Sequence, residues 1–171
     1  MNIVLIGYRG TGKSTVAAVL AERLKRDVFS TDAEIIKRTG LAIPDFVAQY
    51  GWDRFRTLEA AICQELRDRD NLIIDTGGGI VLNQDNIQAL KARGRVFWLT
   101  ATVPTIAARI GSDTQRPSLT GTKSFLDEIE EVLAQRQSFY RAAADRVIPT
   151  DELSPERVAD IIVAQLSSCD D

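Results

Sequence analysis

Ile3-Val4-Leu5-Ile6 runs directly into Gly7-Tyr8-Arg9-Gly10-Thr11-Gly12-Lys13-Ser14, and this junction decides the fold. The second stretch has the G-x-x-x-x-G-K-S spacing of a phosphate-binding loop (P-loop). Its glycines let consecutive backbone N–H groups close around phosphate oxygens, Lys13 can reach β- and γ-phosphates, and the Ser14 hydroxyl is placed to ligate Mg²⁺. The same pattern arises by chance in glycine-rich turns, so its context matters. Here an apolar strand precedes it, and Val16, Leu20 and Leu24 follow at i, i+4 and i+8, the spacing of a helix packed on a sheet. Gly10, Thr11, Gly12, Lys13, Ser14 and Thr15 are the expected contacts to a nucleotide's phosphates.

Beyond this junction, short β-branched or aromatic runs alternate with longer helical patterns. Asn2–Ile6, Val28–Ser30, Leu72–Asp75, Val96–Leu99 and Val147–Ile148 read as strands. Apolar runs that do not alternate with polar residues imply burial on both faces, which in βαβα order means a parallel sheet covered by helices on each side. The expected fold is a doubly wound α/β domain, and ligands of such sheets bind beyond the carboxyl ends of the strands. A chain of 171 residues suits one domain with a real core. A net charge of −3, spread along the chain, argues against nucleic acid or an anionic membrane as partner. Cys63 and Cys169 share no metal-like spacing, and the expected compartment is reducing, without a signal peptide or membrane span. The absence of histidine excludes imidazole bases and His metal sites. Gly111–Ser124 is polar and lacks hydrophobic periodicity, and it reads as a mobile loop.

The residues just after each strand carry the chemistry. In Ser30-Thr31-Asp32-Ala33-Glu34, ahead of the helical stretch Ile35–Thr39, Asp32 is either a helix N-cap or a carboxylate that takes or orients the proton of an attacking hydroxyl. Its place beside the phosphate loop favours the second role. Gly51-Trp52-Asp53-Arg54-Phe55-Arg56 opens a helix with an apolar stripe of Phe55, Leu58, Ile62 and Leu66. Arg56 and Glu59, at i and i+3, are either a surface ion pair or an arginine fork held by its glutamate to grip a carboxylate. Asn71–Asp75 ends in an acid, as a strand that orders Mg²⁺ or its waters does, and continues as Thr76-Gly77-Gly78-Gly79. Without side chains, Gly77, Gly78 and Gly79 allow a ligand close to backbone N–H groups and form an expected substrate wall. Further on, Ile129, Val132, Leu133, Arg136 and Tyr140 share one helical face. The charge of Arg136 in that stripe requires an internal carboxylate, a bound anion or an escape to water along its stem. Arg116, before Pro117, is either a solvated arginine or a residue that swings over the phosphates and neutralises transition-state charge.

Taken together, these segments resemble the shikimate kinases over nearly the whole chain. GYRGTGKS resembles the family's phosphate loop, STD its acidic pair, GWDRFRTLE its G-x-x-x-F-R-x-x-E segment, TGGG its triple glycine, RPSL its lid motif and RQSFY its R-x-x-x-Y helix. The resemblance implies ATP-dependent phosphorylation of the 3-hydroxyl of shikimate, with Mg²⁺, in aromatic amino-acid biosynthesis. It further implies a cytoplasmic monomer with a five-stranded sheet in the order 2-3-1-4-5. Residues 1–171 would form one kinase domain with a lid over about 111–124 and a substrate-binding segment over about 32–60. Asp32 would hold and activate the hydroxyl with Lys13 and Arg116 as catalytic partners, Arg56, Arg136 and the Gly77–Gly79 backbone would bind shikimate, and Arg109 would stack near adenine.

Two positions depart from the family's pattern. Ser30 stands where the first acid of an acid-x-acid pair is usual, and Asp75 stands where a small residue often precedes T-G-G-G. Asp75 either takes over the ordering of the metal beside Ser14 or caps the glycine turn. Trp52 replaces a common glutamate and reads as packing variation. Competing readings lack support: a regulatory GTPase needs N-K-x-D where Leu99-Thr100-Ala101-Thr102 stands. A gluconate or nucleoside monophosphate kinase needs a substrate clamp other than Arg56 and Arg136.

Overall fold

The computed structural model describes residues 1–111 and 124–167. Strands β1 (Asn2–Ile6), β2 (Val28–Ser30), β3 (Ile73–Asp75), β4 (Gly94–Thr100) and β5 (Arg146–Pro149) form one parallel sheet in the order β2-β3-β1-β4-β5. The helices among the described residues are α1 (Lys13–Leu24), α2 (Thr31–Thr39), α3 (Ile43–Leu66), α4 (Gln84–Lys91), α5 (Val103–Ile110), α6 (Phe125–Ala143) and α7 (Pro155–Ser167), with a 3₁₀ turn at Ile80–Leu82. Every residue of β1 is buried. Its alternate side chains serve opposite layers: Val4 and Ile6 pack with Phe55, Ile62 and Trp98, whereas Ile3 and Leu5 pack with Val16, Leu20 and Ile162. Burial on both faces is the physical reason the run shows no polar alternation. A third cluster of Tyr8, Ile106, Ile110, Ile129 and Val132 fastens α5 and α6 over the loop that follows β1.

Local chemistry sets where the helices start. Gly12, at φ +95°, occupies the N-cap of α1 and offers no side chain to cap it, so the first amides of α1 face the loop. α2 starts four residues earlier than the Ile35–Thr39 pattern indicates, because Ser30 is its N-cap and accepts the Ala33 N–H at 3.2 Å. The alternative in which Asp32 caps this helix is thereby corrected: Asp32 is the second residue of α2, and its carboxylate is not the cap. Gly51, at φ +82° and ψ 167°, interrupts α3, so a separate helical segment begins at Trp52 as its sequence indicates. The observed strands β3, β4 and β5 differ from their expected limits by one or two residues, the usual uncertainty at element ends.

Candidate active site

Beyond the carboxyl ends of β1 and β3 lies an open cleft of about 1200 Å³, lined by Gly10 to Thr15, Ser30, Asp75 and Arg109. Thr11 closes the loop by donating its hydroxyl to the Tyr8 carbonyl at 2.8 Å. Lys13 is buried across the loop, donating to the Gly7 carbonyl at 2.9 Å and the Tyr8 carbonyl at 3.1 Å. Ser14 donates its hydroxyl to Asp75 Oδ2 at 2.6 Å. At the far end Arg109 donates to the Thr150 hydroxyl at 2.9 Å and the Thr150 carbonyl at 2.8 Å, and Thr150 in turn donates to the Thr11 carbonyl at 3.0 Å. This network ties α5 to the phosphate loop beside Leu153 and Pro155, an apolar floor suited to a base.

A second, smaller cavity adjoins the first and is lined by Asp32, Arg56, Glu59, Arg136 and Gly77 to Gly79. Asp32 lines both cavities. Arg56 donates to Glu59 Oε2 at 2.8 Å, and its guanidinium lies 5.3 Å from the ring centres of Trp52 and Phe55. Glu59 is 0% exposed, so the pair is no surface ion pair. Burial pushes the Glu59 carboxyl above its ordinary value, while the Arg56 guanidinium pulls it back. Arg136 is 9% exposed, which excludes escape to water, and none of the ion pairs among the described residues involves it. Its guanidinium lies near Gly78, whose carbonyl accepts the Tyr140 hydroxyl. Burial pushes the Tyr140 phenol up to about 12, so it remains a donor, and its ring stacks on Trp98 with centres 5.5 Å apart. Two arginines with restricted freedom thus converge on one small cavity, the arrangement that binds a carboxylate in a directed way.

The triple glycine has a steric reason at each end. A Cβ on Gly77 would stand 2.7 Å from Asp32 Oδ1 and 3.0 Å from Glu59 Oε1, and a Cβ on Gly79 would overlap the Arg56 guanidinium. Gly79 has φ −93°, a conformation alanine adopts without strain. Gly79→Ala is therefore expected to displace the end of the Arg56 side chain, raising the KM for a carboxylate-bearing substrate about tenfold and lowering the melting temperature modestly, since Glu59 keeps only a loosened partner. Paired kinetic and thermal measurements check this, and a large fall in melting temperature with a matching fall in kcat at unchanged KM would make the effect one of folding.

The sequence missed several contributors. Trp52 packs against the core and the Phe55 ring as expected, and beyond that it lines the second cavity beside Arg56. Arg9, at a variable position of the phosphate loop, lines both cavities and lies 3.6 Å from Glu128 of α6. Thr150 follows the last residue of β5, where the rule about the carboxyl ends of strands points, but its link to Arg109 spans 41 positions. Arg116 and most of the 111–124 stretch, like Cys169, lie outside the described residues.

A phosphate loop thus opens onto a cavity walled by two arginines and a triple glycine. The family model of shikimate kinase matches residues 9–167. A shikimate kinase of Syntrophus aciditrophicus is 41% identical, covering 98% of this chain and 91% of its own length. A shikimate kinase 2 of Photorhabdus laumondii is 41% identical over 92% of each chain. Among solved structures, a shikimate kinase from Acinetobacter baumannii in complex with shikimate superposes with a TM-score of 0.92 at 34% identity, covering 98% of this chain and 93% of that one. The match runs from within the phosphate loop to the last described helix and takes in both arginines and the glycine wall, so the chain belongs to the shikimate kinase family.

Proposed function

We propose that this chain transfers the γ-phosphoryl group of ATP to the 3-hydroxyl of shikimate, a step of aromatic amino-acid biosynthesis. The observation that carries the reading is Asp32, at the seam where the phosphate cleft and the arginine-walled cavity meet. A phosphoryl acceptor bearing the hydroxyl in the smaller cavity and a triphosphate in the larger would face each other across that carboxylate. Arg56 and Arg136 hold the substrate's carboxylate, with the backbone of Gly77, Gly78 and Gly79 as the adjoining wall. Holding both reactants in line supplies much of the acceleration in phosphoryl transfer, since little covalent chemistry falls to the protein. Asp32 accepts or orients the proton of the attacking hydroxyl. Lys13 leaves its loop carbonyls for the β- and γ-phosphates, Arg116 from its lid adds charge to the transferred group, and Arg109 borders the base.

Mg²⁺ fits this site: Ser14 and Asp75 offer hard oxygen donors beside the loop, the sparse protein ligation that Mg²⁺ accepts when phosphates and waters complete its shell. When bound, the ion draws off negative charge from the β- and γ-phosphate oxygens. The reading includes a monomeric cytoplasmic enzyme, residues 1–171 forming one kinase domain with its substrate-binding segment over about 32–60, and no nucleic-acid or membrane partner. The net charge of −3 supports it, and no helix among the described residues is long and apolar enough to cross a membrane.

The direct test is a coupled assay of ADP release from ATP and Mg²⁺. Release is expected to rise with added shikimate and to saturate, and the phosphorylated product should carry its phosphate on the 3-hydroxyl by NMR. Equal release with and without shikimate, or faster turnover of gluconate or a nucleoside monophosphate, rejects the assignment.

A further inference from the structure

Ser30 and Asp75 are Cα partners on the adjacent parallel strands β2 and β3. Partners in this register point to the same side of the sheet from strands about 4.8 Å apart. Both line the phosphate cleft. Two tasks meet at this point of the fold: starting α2, and presenting negative charge to the Ser14 hydroxyl. Ser30 performs the first, its hydroxyl accepting the Ala33 N–H. Asp75 performs the second, with Oδ2 2.6 Å from Ser14 Oγ.

The competing job for Asp75, capping the glycine turn, is filled by other groups. The Thr76 N–H goes to the Leu5 carbonyl at 3.3 Å, and the Gly77 N–H goes to the Thr31 hydroxyl at 3.0 Å. Asp75 is 8% exposed, lines the cleft and is held by the Ser14 hydroxyl. Among the described residues lining that cleft, the one other acid is Asp32, which stands at the seam with the substrate cavity and against Gly77.

We infer that Asp75, on β3, is the carboxylate that orders the divalent cation of the bound nucleotide, and that Ser30, its partner on β2, retains only the helix-capping task. The two strands have divided between them what a single aspartate at position 30 would do, since aspartate caps helices as well as serine does. The inference rests on the kinase reading. It carries a sign of its own: a carboxylate beside phosphates repels a nucleotide without its cation and favours one with it. The Ser14–Asp75 bond then marks the place where a cation can sit between hydroxyl and carboxylate.

The test reads binding instead of turnover. ADP is titrated calorimetrically into wild type, Asp75→Asn, Ser30→Asp and the exchange Ser30→Asp with Asp75→Ser, each with Mg²⁺ and with chelator. Mn²⁺ with ADP, followed by electron paramagnetic resonance, counts bound ion directly. Mg²⁺ is expected to tighten ADP binding to the wild type. Asp75→Asn should cut that enhancement about tenfold or more, the scale of losses when a partner of a metal site is replaced. Its affinity for ADP in chelator should be equal to the wild type's or tighter. The exchange variant should recover most of the enhancement, and Ser30→Asp alone should exceed the wild type. Asn at position 75 still accepts the Ser14 hydroxyl, so folding is preserved, and melting curves verify it. An enhancement unchanged in Asp75→Asn overturns the inference and leaves the kinase reading standing. A loss that the exchange does not restore overturns the equivalence of the two strand positions. If wild type binds no ADP with or without Mg²⁺, the kinase reading fails and takes the inference with it.

Discussion

Asp32→Asn is expected to lower kcat roughly 10²–10⁴-fold, the range that a positioned general base contributes, while the KM for ATP changes little. Asparagine keeps the size of the side chain and its capacity to accept a hydrogen bond, but it cannot take a proton. Asp32 sits in the first turn of α2, where a carboxylate also favours the helix by roughly 0.3–1 kcal/mol through the exposed amides. That effect bears on stability and is far too small to account for the expected loss of rate. The two contributions separate in one set of measurements: melting temperature, shikimate affinity and kcat of the same protein. A variant that melts a few degrees lower and keeps kcat within threefold would make Asp32 a helix-terminal charge and remove it from the chemistry. Because Asp32 borders both cavities, shikimate should still bind the variant, and ADP release should be what stops.

How much of this was legible in the sequence depended on the range of the interaction involved. The phosphate loop was legible because strand, glycines, lysine, serine and helix are contiguous and each answers a separate physical need. The strands showed themselves by unbroken apolar runs, even β2, whose three residues form the edge of the sheet. Their order was not legible from the residues, since pairing β1 with β3 and β4 brings together segments about seventy and ninety positions apart; it came from the resemblance. Arg136 announced itself as a charge inside an apolar stripe, but only the fold shows that it forms no ion pair among the described residues and lines a cavity with Arg56 and Glu59. Ser30 and Asp75 were both visible as departures. That they face the same cleft as cross-strand partners required the register of β2 against β3. Trp52 was legible as packing but not as cavity wall, because an aromatic just after a glycine break looks the same from the sequence in either place, and here it is both.

The arginine clamp gives the largest expected effect on substrate affinity, and its two members differ in how cleanly they can be tested. Arg136→Ala should raise the KM for shikimate by roughly ten- to a hundred-and-fiftyfold, the equivalent of about 1.5–3 kcal/mol for a lost charge-assisted hydrogen bond. The KM for ATP should stay near the wild type's, since Arg136 lines the smaller cavity. Arg136 forms no ion pair among the described residues and acts on buried Glu59 less than Arg56 does, so this change disturbs that acid less. Arg56→Ala should raise the same KM, but it also leaves Glu59 buried without its cation. Burial already holds that carboxyl above its ordinary value, and Arg56 is the larger of the influences pulling it down. Once Arg56 is gone, the folded state should hold the Glu59 proton more tightly still. An acid raised in this way loses stability as pH rises above the ordinary glutamate range, so Arg56→Ala should melt progressively lower from acid toward neutral pH. Adding Glu59→Gln should flatten that dependence without restoring shikimate affinity. If Arg136→Ala and the double variant both fold and bind shikimate as the wild type does, the two arginines are structural and the carboxylate of the substrate is held elsewhere. If shikimate affinity falls in both while Arg56→Ala steepens the pH dependence of melting well beyond that of the wild type and of Arg136→Ala, Arg136 acts chiefly on the ligand, and Arg56 joins the ligand to the buried acid that positions it.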